Sequence, residues 1–258
     1  MDKVAAIIVN YNMPEVVQHN IDILRDNTKV PLDIIVLDNA SYEDHMFIPN
    51  EEDEVHMIYL DYNLHNTHGF RMGLSYAKSL EALSWEPYFA YLIGVTSGEF
   101  IDDGSDPILP LYDFFKEDKN AVIVQAAHDE SSIGFWEHLK SRGTGKPRRT
   151  WMMEHSLTLF RADWFDSIDW LHPGLHIHGT DLFYSWQARE QGRGIYVHEG
   201  IEMHRHWNNM FDMGRAPEAN PGERSVLARK SMVKTLEPML GENWEQRLLQ
   251  EYVEEDWI

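Results

Sequence analysis

Cysteine is absent from the 258 residues of the chain, which excludes disulfides and thiolate metal sites and is compatible with a reducing compartment. Long apolar runs are absent too, and no window approaches the length needed to span a bilayer. The first predicted strand begins at Val4, with neither a basic start nor a signal-like apolar core before it. We therefore expect a cytoplasmic protein with no membrane span.

Basic residues are scarce: the chain has 22 Lys and Arg against 43 Asp and Glu, and its formal net charge is −21. Such a chain repels polyphosphates at long range, so a protein that binds nucleic acid over its whole surface is disfavoured. The exception is a segment that its glycines and proline predict to be a loop, where five cations fall within ten residues: Lys140, Arg142, Lys146, Arg148 and Arg149. This segment is either an ordinary solvated loop or a loop that grips a phosphate group.

Two buried strands flank the first helix. Residues 4–9 and 34–37 are continuous apolar runs, the pattern of parallel strands that are buried on both faces. Between them, residues 14–27 carry apolar side chains at helical spacing, which predicts a βαβ unit. Ligands of open α/β sheets bind beyond the carboxyl ends of the strands, so a nucleotide is expected at the polar residues there. These residues are Asn10, Tyr11, Asn12, Asp38 and Asn39.

The rest of the sequence continues the alternation of strands and helices. Strands are predicted at 55–60, 88–93, 121–126, 153–161 and 194–198. Helices are predicted at 67–83, 108–116, 162–167 and 182–191, and two more in 223–255 are expected to break near Pro238 and Gly241. No linker divides the chain, so we predict one α/β domain over 1–258, with halves at 1–127 and 128–210 and a C-terminal helical extension at 211–258.

Four motifs follow one another along the chain. They are Ile-Ile-Val-Asn-Tyr-Asn ending at Asn12, Leu-Asp-Asn-Ala-Ser ending at Ser41, an Asn/Gly segment over 63–77, and Gly-Thr-Asp with an aromatic-rich helix over 179–192. In this order and spacing they resemble family 2 glycosyltransferases with the GT-A fold, over roughly residues 3 to 206. The resemblance implies a mostly parallel central sheet with helices on both faces. It also implies transfer of a sugar from a nucleotide donor, expected to be a UDP-sugar, to a hydroxyl of a glycan or another acceptor.

The first two motifs are the expected nucleotide site. The resemblance implies that Asp38 hydrogen-bonds the base or ribose, a task that suits a carboxylate because it accepts more than one hydrogen bond. The alternative is an Asx-type turn, in which Asp38 or Asn39 only caps the next segment. Arg71, early in the second helix, would either meet the diphosphate or lie in solvent.

Asp181 is the candidate catalytic base. In an inverting transfer the acceptor hydroxyl loses its proton as it attacks the anomeric carbon, and one carboxylate on the acceptor side can take that proton. An aspartate at a helix start is also an ordinary N-terminal cap, but the Gly-Thr-Asp pattern followed by Arg189 and Gly192 favours catalysis. Thr180 departs from the pattern, since many relatives carry Glu there. On the same side we expect contacts to the acceptor or a phosphate from Lys146, Arg148, Arg149 and Trp151.

The Asp-x-Asp metal motif of the family is missing. It should follow the strand at 88–93, where the sequence is Val95-Thr-Ser-Gly-Glu99. A divalent ion would neutralise charge on the leaving diphosphate, and for Mn²⁺ or Mg²⁺ the expected ligands are Glu99, Asp102 and His204. The alternative is stabilisation by arginines or by the 140–149 loop, so we expect weaker metal dependence than is usual for the fold.

Three other functions stay open at the level of sequence. A DNA glycosyltransferase acting on a hydroxymethylated base would use the basic loop to hold a phosphate backbone. A non-catalytic nucleotide-binding domain would be one that has lost the metal motif. A histidine-centred metallohydrolase would use two His-x-His pairs, His176 and His178 with His204 and His206.

Overall fold

The computed structural model describes residues 1–95, 97–132, 137–168, 170, 179–206, 230 and 233–244. Its centre is a nine-stranded sheet of order β3-β2-β1-β4-β8-β6-β9-β5, in which β7 pairs with β9 outside this path. The strands are β1 (Val4–Asn10), β2 (Leu32–Asp38), β3 (Val55–Tyr59), β4 (Ala90–Val95), β5 (Gly98–Phe100), β6 (Ala121–His128), β7 (Pro147–Thr150), β8 (Thr158–Arg161) and β9 (Gly194–Arg205). The helices are α1 (Pro14–Asn27), α2 (His65–Ser84), α3 (Leu109–Glu117), α4 (Ala162–Phe165) and α5 (Thr180–Glu190).

The first four neighbours, β3, β2, β1 and β4, are parallel and follow the sequence pattern closely. β1 is buried along its whole length, as its continuous apolar run predicts. Its alternate side chains enter two different core clusters, because successive residues of a strand point to opposite faces. Ile7 packs with α2 on one face, and Ile8 packs with α1 on the other. Helices therefore cover both faces, as predicted.

The sheet is mixed, so the prediction of a mostly parallel sheet holds only for its first half. β8 runs antiparallel between β4 and β6, while β9 pairs parallel with β6 and antiparallel with β5 and β7. The strand predicted at 153–161 is wrong in its first part, since β8 begins at Thr158. The strand predicted at 194–198 continues to Arg205 through a bulge. Ala126 pairs with His198 but Ala127 pairs with Glu202, so residues 199–201 bulge out of this pairing.

Two other segments differ from the prediction. The loop expected at 140–149 gives way at Pro147 to β7, whose backbone pairs with β9 from His198 to Ile195. Near the C-terminus, residues 233–240 are helical and the helix runs through Pro238, so the break lies at Gly241, which has a φ of 91°. The remainder of the predicted 223–255 helices lies outside the described residues. In the described part of the chain, no helix combines the length and apolar character that crossing a bilayer requires.

α2 lies against β1 at close range because two glycines face the sheet. A Cβ atom on Gly73 would lie 2.4 Å from Cγ2 of Ile7, and one on Gly69 would lie 3.1 Å from Cγ1 of Val9. Residues four apart share one face of a helix, so these two glycines form a single flat contact. At the start of α2, the hydroxyl of Thr67 lies 3.4 Å from that of Thr180. The first turn of α2, the helix that packs on β1, is thereby joined to the first turn of α5.

Candidate active site

The polar residues that follow β1 and β2 form one hydrogen-bonded unit, which we call the strand-end platform (residues 10–12 and 38–42). One carboxylate oxygen of Asp38 accepts from Asn10 Nδ2 at 2.7 Å and from the Phe47 amide at 3.0 Å. The other accepts from the Ser41 amide at 2.9 Å. A carboxylate has about four acceptor positions, so the protein itself uses three of them. Asp38 therefore fixes the turn after β2, and one of its acceptor positions has no partner among the described residues.

Asn12 closes the platform from the β1 side. Its amide donates to the Ser41 hydroxyl at 2.9 Å, and its side-chain oxygen accepts from the Tyr42 amide at 2.8 Å. Asn12 has a φ of 59°, Ala40 in the loop after β2 has a φ of 58°, and His65, the first residue of α2, has a φ of 60°. Left-handed backbone at a non-glycine residue costs about 1–3 kcal/mol and clusters at functional sites. Left-handed residues thus follow β1 and β2 directly, and another begins α2.

Asn39 connects the platform to the start of α2. Its side-chain amide donates to Asn63 Oδ1 at 3.0 Å, and its side-chain oxygen accepts from the Leu64 amide at 2.8 Å. The loop after β3 is therefore held by the loop after β2. Because α2 begins at this point, Asn39 helps to set the position of the helix relative to the platform.

Arg71 is buried, which excludes the solvated alternative for this residue. Its Nε donates to the Trp170 carbonyl at 2.9 Å, and the same carbonyl accepts from the Tyr184 hydroxyl at 2.8 Å. Arg71 thereby links α2 to α5. Tyr11 is 8% exposed. All six residues that the sequence predicts to bind nucleotide are buried, so they shape this edge of the sheet from within.

Asp181 is the second residue of α5. Gly179 precedes the helix with a φ of 94°, a left-handed conformation that glycine adopts without steric cost. Desolvation raises the pKa of Asp181 from its ordinary 3.8 to about 6; the Glu154 charge adds to this rise and Arg205 opposes it. The helix N-terminus favours a negative charge by only about 0.3–1 kcal/mol, so desolvation outweighs it. The result is a carboxyl group that titrates near neutral pH.

The neighbours of Asp181 form a buried ion pair. Arg205, at the end of β9, donates through Nε and Nη2 to the two carboxylate oxygens of Glu154. Burial raises the pKa of Glu154, and the Arg205 charge opposes this rise. His128 Nε2 lies 3.7 Å from the same carboxylate, and burial lowers the pKa of His128 to about 3, so its ring is neutral. Sequence reasoning missed this pair because 51 residues separate its members.

The segment where the metal motif is expected places Glu99 beside histidines. β5 and β9 pair so that Glu99 lies opposite His204, and the Glu99 carboxylate contacts Nε2 of His206. The second oxygen of Glu99 lies 3.4 Å from Nε2 of His19 on α1. The rings of His204 and His206 meet edge to face, with centroids 4.5 Å apart. Glu99 thus connects α1 to the end of β9.

This donor set does not fit the divalent-ion site that the resemblance implies. Nδ1 of His204 lies 3.1 Å from the Asp129 carboxylate, and Asp102 lies in an exposed turn where it accepts the Gly104 amide at 3.3 Å. Throughout the described ranges, no group of three or more His, Asp or Glu side chains is arranged to hold a metal ion. Of the predicted ligands, Glu99 and His204 are opposite each other in the β5–β9 pair and Asp102 lies in its own turn, and the metal site stays a prediction.

The predicted acceptor-side residues take different positions. Lys146 and Arg149 are exposed. Arg148 is directed inward, where its Nε donates to Glu199 at 2.7 Å. Trp151 is half-buried against the main core cluster.

Two cavities in the described structure lie away from the platform. One, of about 240 Å³, is lined by β5 and the β9 bulge, including Asp103, Glu199 and Glu202. The other, of about 600 Å³, lies beside Met1 and Trp85, at the end of the sheet where β1 and β4 begin. Neither cavity is lined by platform residues or Asp181. The candidate site is therefore identified from its side chains and backbone geometry and not from a cavity.

Solved structures share this architecture. The crystal structure of GalNAc-T7 with UDP, GalNAc and Mn²⁺ aligns with 80% of this chain at a TM-score of 0.61 and 14% identity, and the chain spans 44% of that protein. The crystal structure of S. aureus TarS 1-349 aligns with 95% of this chain and 77% of its own at a TM-score of 0.51 and 11% identity. These matches confirm the predicted α/β fold as that of GT-A glycosyltransferases, and identities this low show the fold alone. No protein-family model and no curated protein sequence matches the chain.

Proposed function

We propose that the chain is a family 2-like hexosyltransferase that moves a sugar from a UDP-sugar to an acceptor hydroxyl with inversion. The observation that carries this proposal is the position of Asp181 in the first turn of α5, which Thr180 joins to Thr67 in the first turn of α2. Desolvation, which raises the pKa of Asp181 to about 6, supports it. The GT-A fold agrees with nucleotide-sugar chemistry. The GalNAc-T7 structure was solved with UDP, and this motivates the choice of nucleotide.

In the proposed reaction the acceptor oxygen attacks the anomeric carbon while the bond to the diphosphate oxygen breaks. The bonding electron pair leaves with UDP, and the hydroxyl proton passes to a carboxylate oxygen of Asp181. A base is most effective when its pKa lies near the operating pH, because it is then both ionised and basic. Asp181 at about 6 meets both conditions at pH 7. The Glu154–Arg205 pair holds compensated charges beside it.

The strand-end platform is the proposed nucleotide site. Its inner hydrogen bonds fix the turns before any ligand arrives, and such preorganisation lowers the ordering cost of binding. The remaining acceptor position of Asp38 is proposed to meet a base or ribose donor. Tyr42, 41% exposed beside it, offers an aromatic face for the base.

The alternative functions gain no specific support. For a metallohydrolase, His176 and His178 lie outside the described residues, while His204 and His206 contact Asp129 and Glu99. A DNA acceptor has no observation beyond the basic segment in its favour. A non-catalytic domain would not require a carboxyl tuned to about pH 6 beside the β1 edge.

Two measurements test the proposal. In a thermal-shift panel of nucleoside diphosphates, UDP at 100 times its dissociation constant should stabilise the protein by about 2.7 kcal/mol, and Asp38→Ala should weaken this binding. Asp181→Asn should leave UDP binding intact and lower turnover by roughly 10²- to 10⁴-fold, because the amide keeps the shape and loses the basicity. The exposed Asp113→Asn is the matched control. If no nucleoside diphosphate binds the wild-type protein, the transferase proposal fails; near-normal turnover in Asp181→Asn reduces that residue to a helix cap.

A further inference from the structure

The exposed basic loop is held against β9 by hydrogen bonds to Glu199. Glu199, in the β9 bulge, has a side chain with no exposed surface, and it accepts from Arg148 Nε at 2.7 Å. It also accepts from the hydroxyl of Thr144 at 2.8 Å and from its amide at 3.1 Å. Burial alone would raise the pKa of Glu199, but the hydrogen bonds from Arg148 and Thr144 lower it to about 2. A fully ionised carboxylate therefore anchors the loop.

This anchor separates the five basic residues into two groups. Arg148 is committed to Glu199 and, through Nη2, to the Lys140 carbonyl at 3.0 Å. Arg142, Lys146 and Arg149 are exposed. The backbone of this segment turns at Gly143 and Gly145, which have left-handed φ values of 70° and 66°. We call residues 140–149 the anchored basic loop.

The loop belongs to the acceptor half of the sheet. Its start is held by the Ser141 amide, which donates to the His128 carbonyl at 2.8 Å, and His128 is the residue that contacts Glu154 beside Asp181. Its end pairs with β9. From β1 to β9 the sheet has four strand intervals, which at 4.8 Å each amount to about 19 Å. The loop is thus remote from the platform, and its start is joined through His128 to Glu154 near the proposed base. Arg149, opposite Tyr196, lies on the face of the sheet that packs against α3.

Acidic side chains near the loop limit its positive field: besides the buried Glu199, Asp103 and Glu202 line the cavity at the β9 bulge. Glu137 pairs with Lys140 at 3.1 Å, and Asp118 accepts from the hydroxyl of Tyr196, the residue opposite Arg149 in the β7–β9 pair. Outward cations therefore concentrate between Arg142 and Arg149. On a chain with a net charge of −21, holding them on a fixed loop creates a local field that attracts an anion.

We infer that the anchored basic loop binds the phosphate group of a phosphate-bearing acceptor. This inference rests on the proposed glycosyl transfer and specifies its acceptor class. A small phosphorylated acceptor suits the structure better than a nucleic acid, because a long polyanion would also meet the acidic remainder of the surface. Arg142, Lys146 and Arg149 supply the contacts, and Glu199 with Arg148 holds the loop in shape.

The test uses the intact protein, ¹⁵N-labelled, with inorganic phosphate as the probe. Phosphate should shift the amide resonances of residues 140–149, and Arg142→Ala/Lys146→Ala/Arg149→Ala should weaken its binding at least tenfold. The control Lys29→Ala/Lys116→Ala/Lys119→Ala removes the same charge from exposed positions elsewhere and should bind as the wild type does. The difference should shrink in high salt, since exposed charges are screened. Equal binding by both triple variants, or an absence of shifts in residues 140–149, would mean that the loop binds no phosphate.

Two further arms separate the possible failures. The hydrolysis of UDP-sugar without acceptor should be unchanged in the loop variant; an equal loss there would place the loop on the donor and overturn the inference. A short DNA duplex should bind no more tightly than phosphate, and tight binding whose salt slope falls by about three in the loop variant would favour a nucleic-acid acceptor instead. UDP titrated into the same sample should shift residues 10–12 and 38–42. Its failure to bind would remove the proposed function and leave the phosphate result standing.

Discussion

Replacing Arg148 and Arg149 one at a time should give opposite results, although the two are adjacent and chemically identical. Arg148 is paired with the buried carboxylate of Glu199, whereas Arg149 is exposed on the same short strand. Arg148→Ala should therefore destabilise the fold and Arg149→Ala should not. Toward phosphate the order should reverse, because Arg149 is one of the outward cations.

The size of the stability effect follows from Glu199. Its pKa lies at about 2 against an ordinary 4.5, a difference of about 2.5 units. At 1.36 kcal/mol per pKa unit this is roughly 3 kcal/mol for the hydrogen bonds of Arg148, Thr144 and the Arg142 amide together, and Arg148 supplies part of it. Breaking a buried ion pair by removing one partner costs roughly 3–5 kcal/mol, whereas an exposed substitution such as Arg149→Ala stays within about 0.5 kcal/mol. We expect Arg148→Ala to be less stable than Arg149→Ala by up to about 3 kcal/mol at pH 7.

Urea unfolding of both variants measures this difference, and pH gives a second check. The pKa of Glu199 is lowered in the folded state, so its contribution is complete above about pH 4.5 and disappears as the pH falls toward 2. The gap between the variants should close over the same window. Equal stabilities at pH 7, or a gap that persists unchanged at pH 3, would refute the anchor. A loss of equal size in Glu199→Gln would support it from the other partner.

Three further predictions concern the site and the sheet. Turnover should be half-maximal near pH 6 and fall tenfold for each pH unit below it, and a pH profile of turnover centred near 4 would contradict the role of Asp181 as base. Because the pKa of Asp181 is raised in the folded state, the wild-type protein should also lose stability as the pH rises from about 4 to 6, and Asp181→Asn should not show this loss. Gly73→Ala should lower the free energy of unfolding in urea by about 1–3 kcal/mol, because the added Cβ would lie 2.4 Å from Ile7. The exposed control Ser75→Ala should leave it unchanged, and an equally neutral Gly73→Ala would show that α2 moves away from β1 without cost. Turnover should persist in EDTA at a reduced level. Complete loss of turnover in EDTA, with a recovery by Mn²⁺ that Glu99→Gln prevents, would show that a metal ion is required and that Glu99 binds it.

The sequence predicts the parallel half well because its signals are local. β1 and β4 are buried along their whole lengths, and β1 pairs with both β2 and β4 in the parallel part of the sheet. β5 has three residues, too few to show a period, and the end of β9 alternates polar histidines with buried residues. Both gain their pairing from contacts about one hundred residues apart, such as Glu99 with His206. No local pattern carries that information.

The same limit applies to the site. Asp181 and the platform residues are predicted from contiguous motifs, and their roles stay predictions. The inward direction of Arg148 could not be predicted, because its partner Glu199 is 51 residues away and no motif contains it. A count of cations cannot distinguish one that meets solvent from one that is buried in an ion pair. The Glu154–Arg205 pair escapes prediction for the same reason.

The position of β8 means that the two halves of the chain cannot be separated into working pieces. β6 lies in the first half by sequence, yet both of its neighbours, β8 and β9, come from the second half. A fragment that ended at residue 127 would leave β6 without a hydrogen-bonded neighbour and would uncover one side of β4. An uncovered apolar strand recruits other chains through its unpaired amides and carbonyls. Such a truncation should aggregate during expression, and insertions for tags or fusions are best confined to exposed turns such as the one at Gly104.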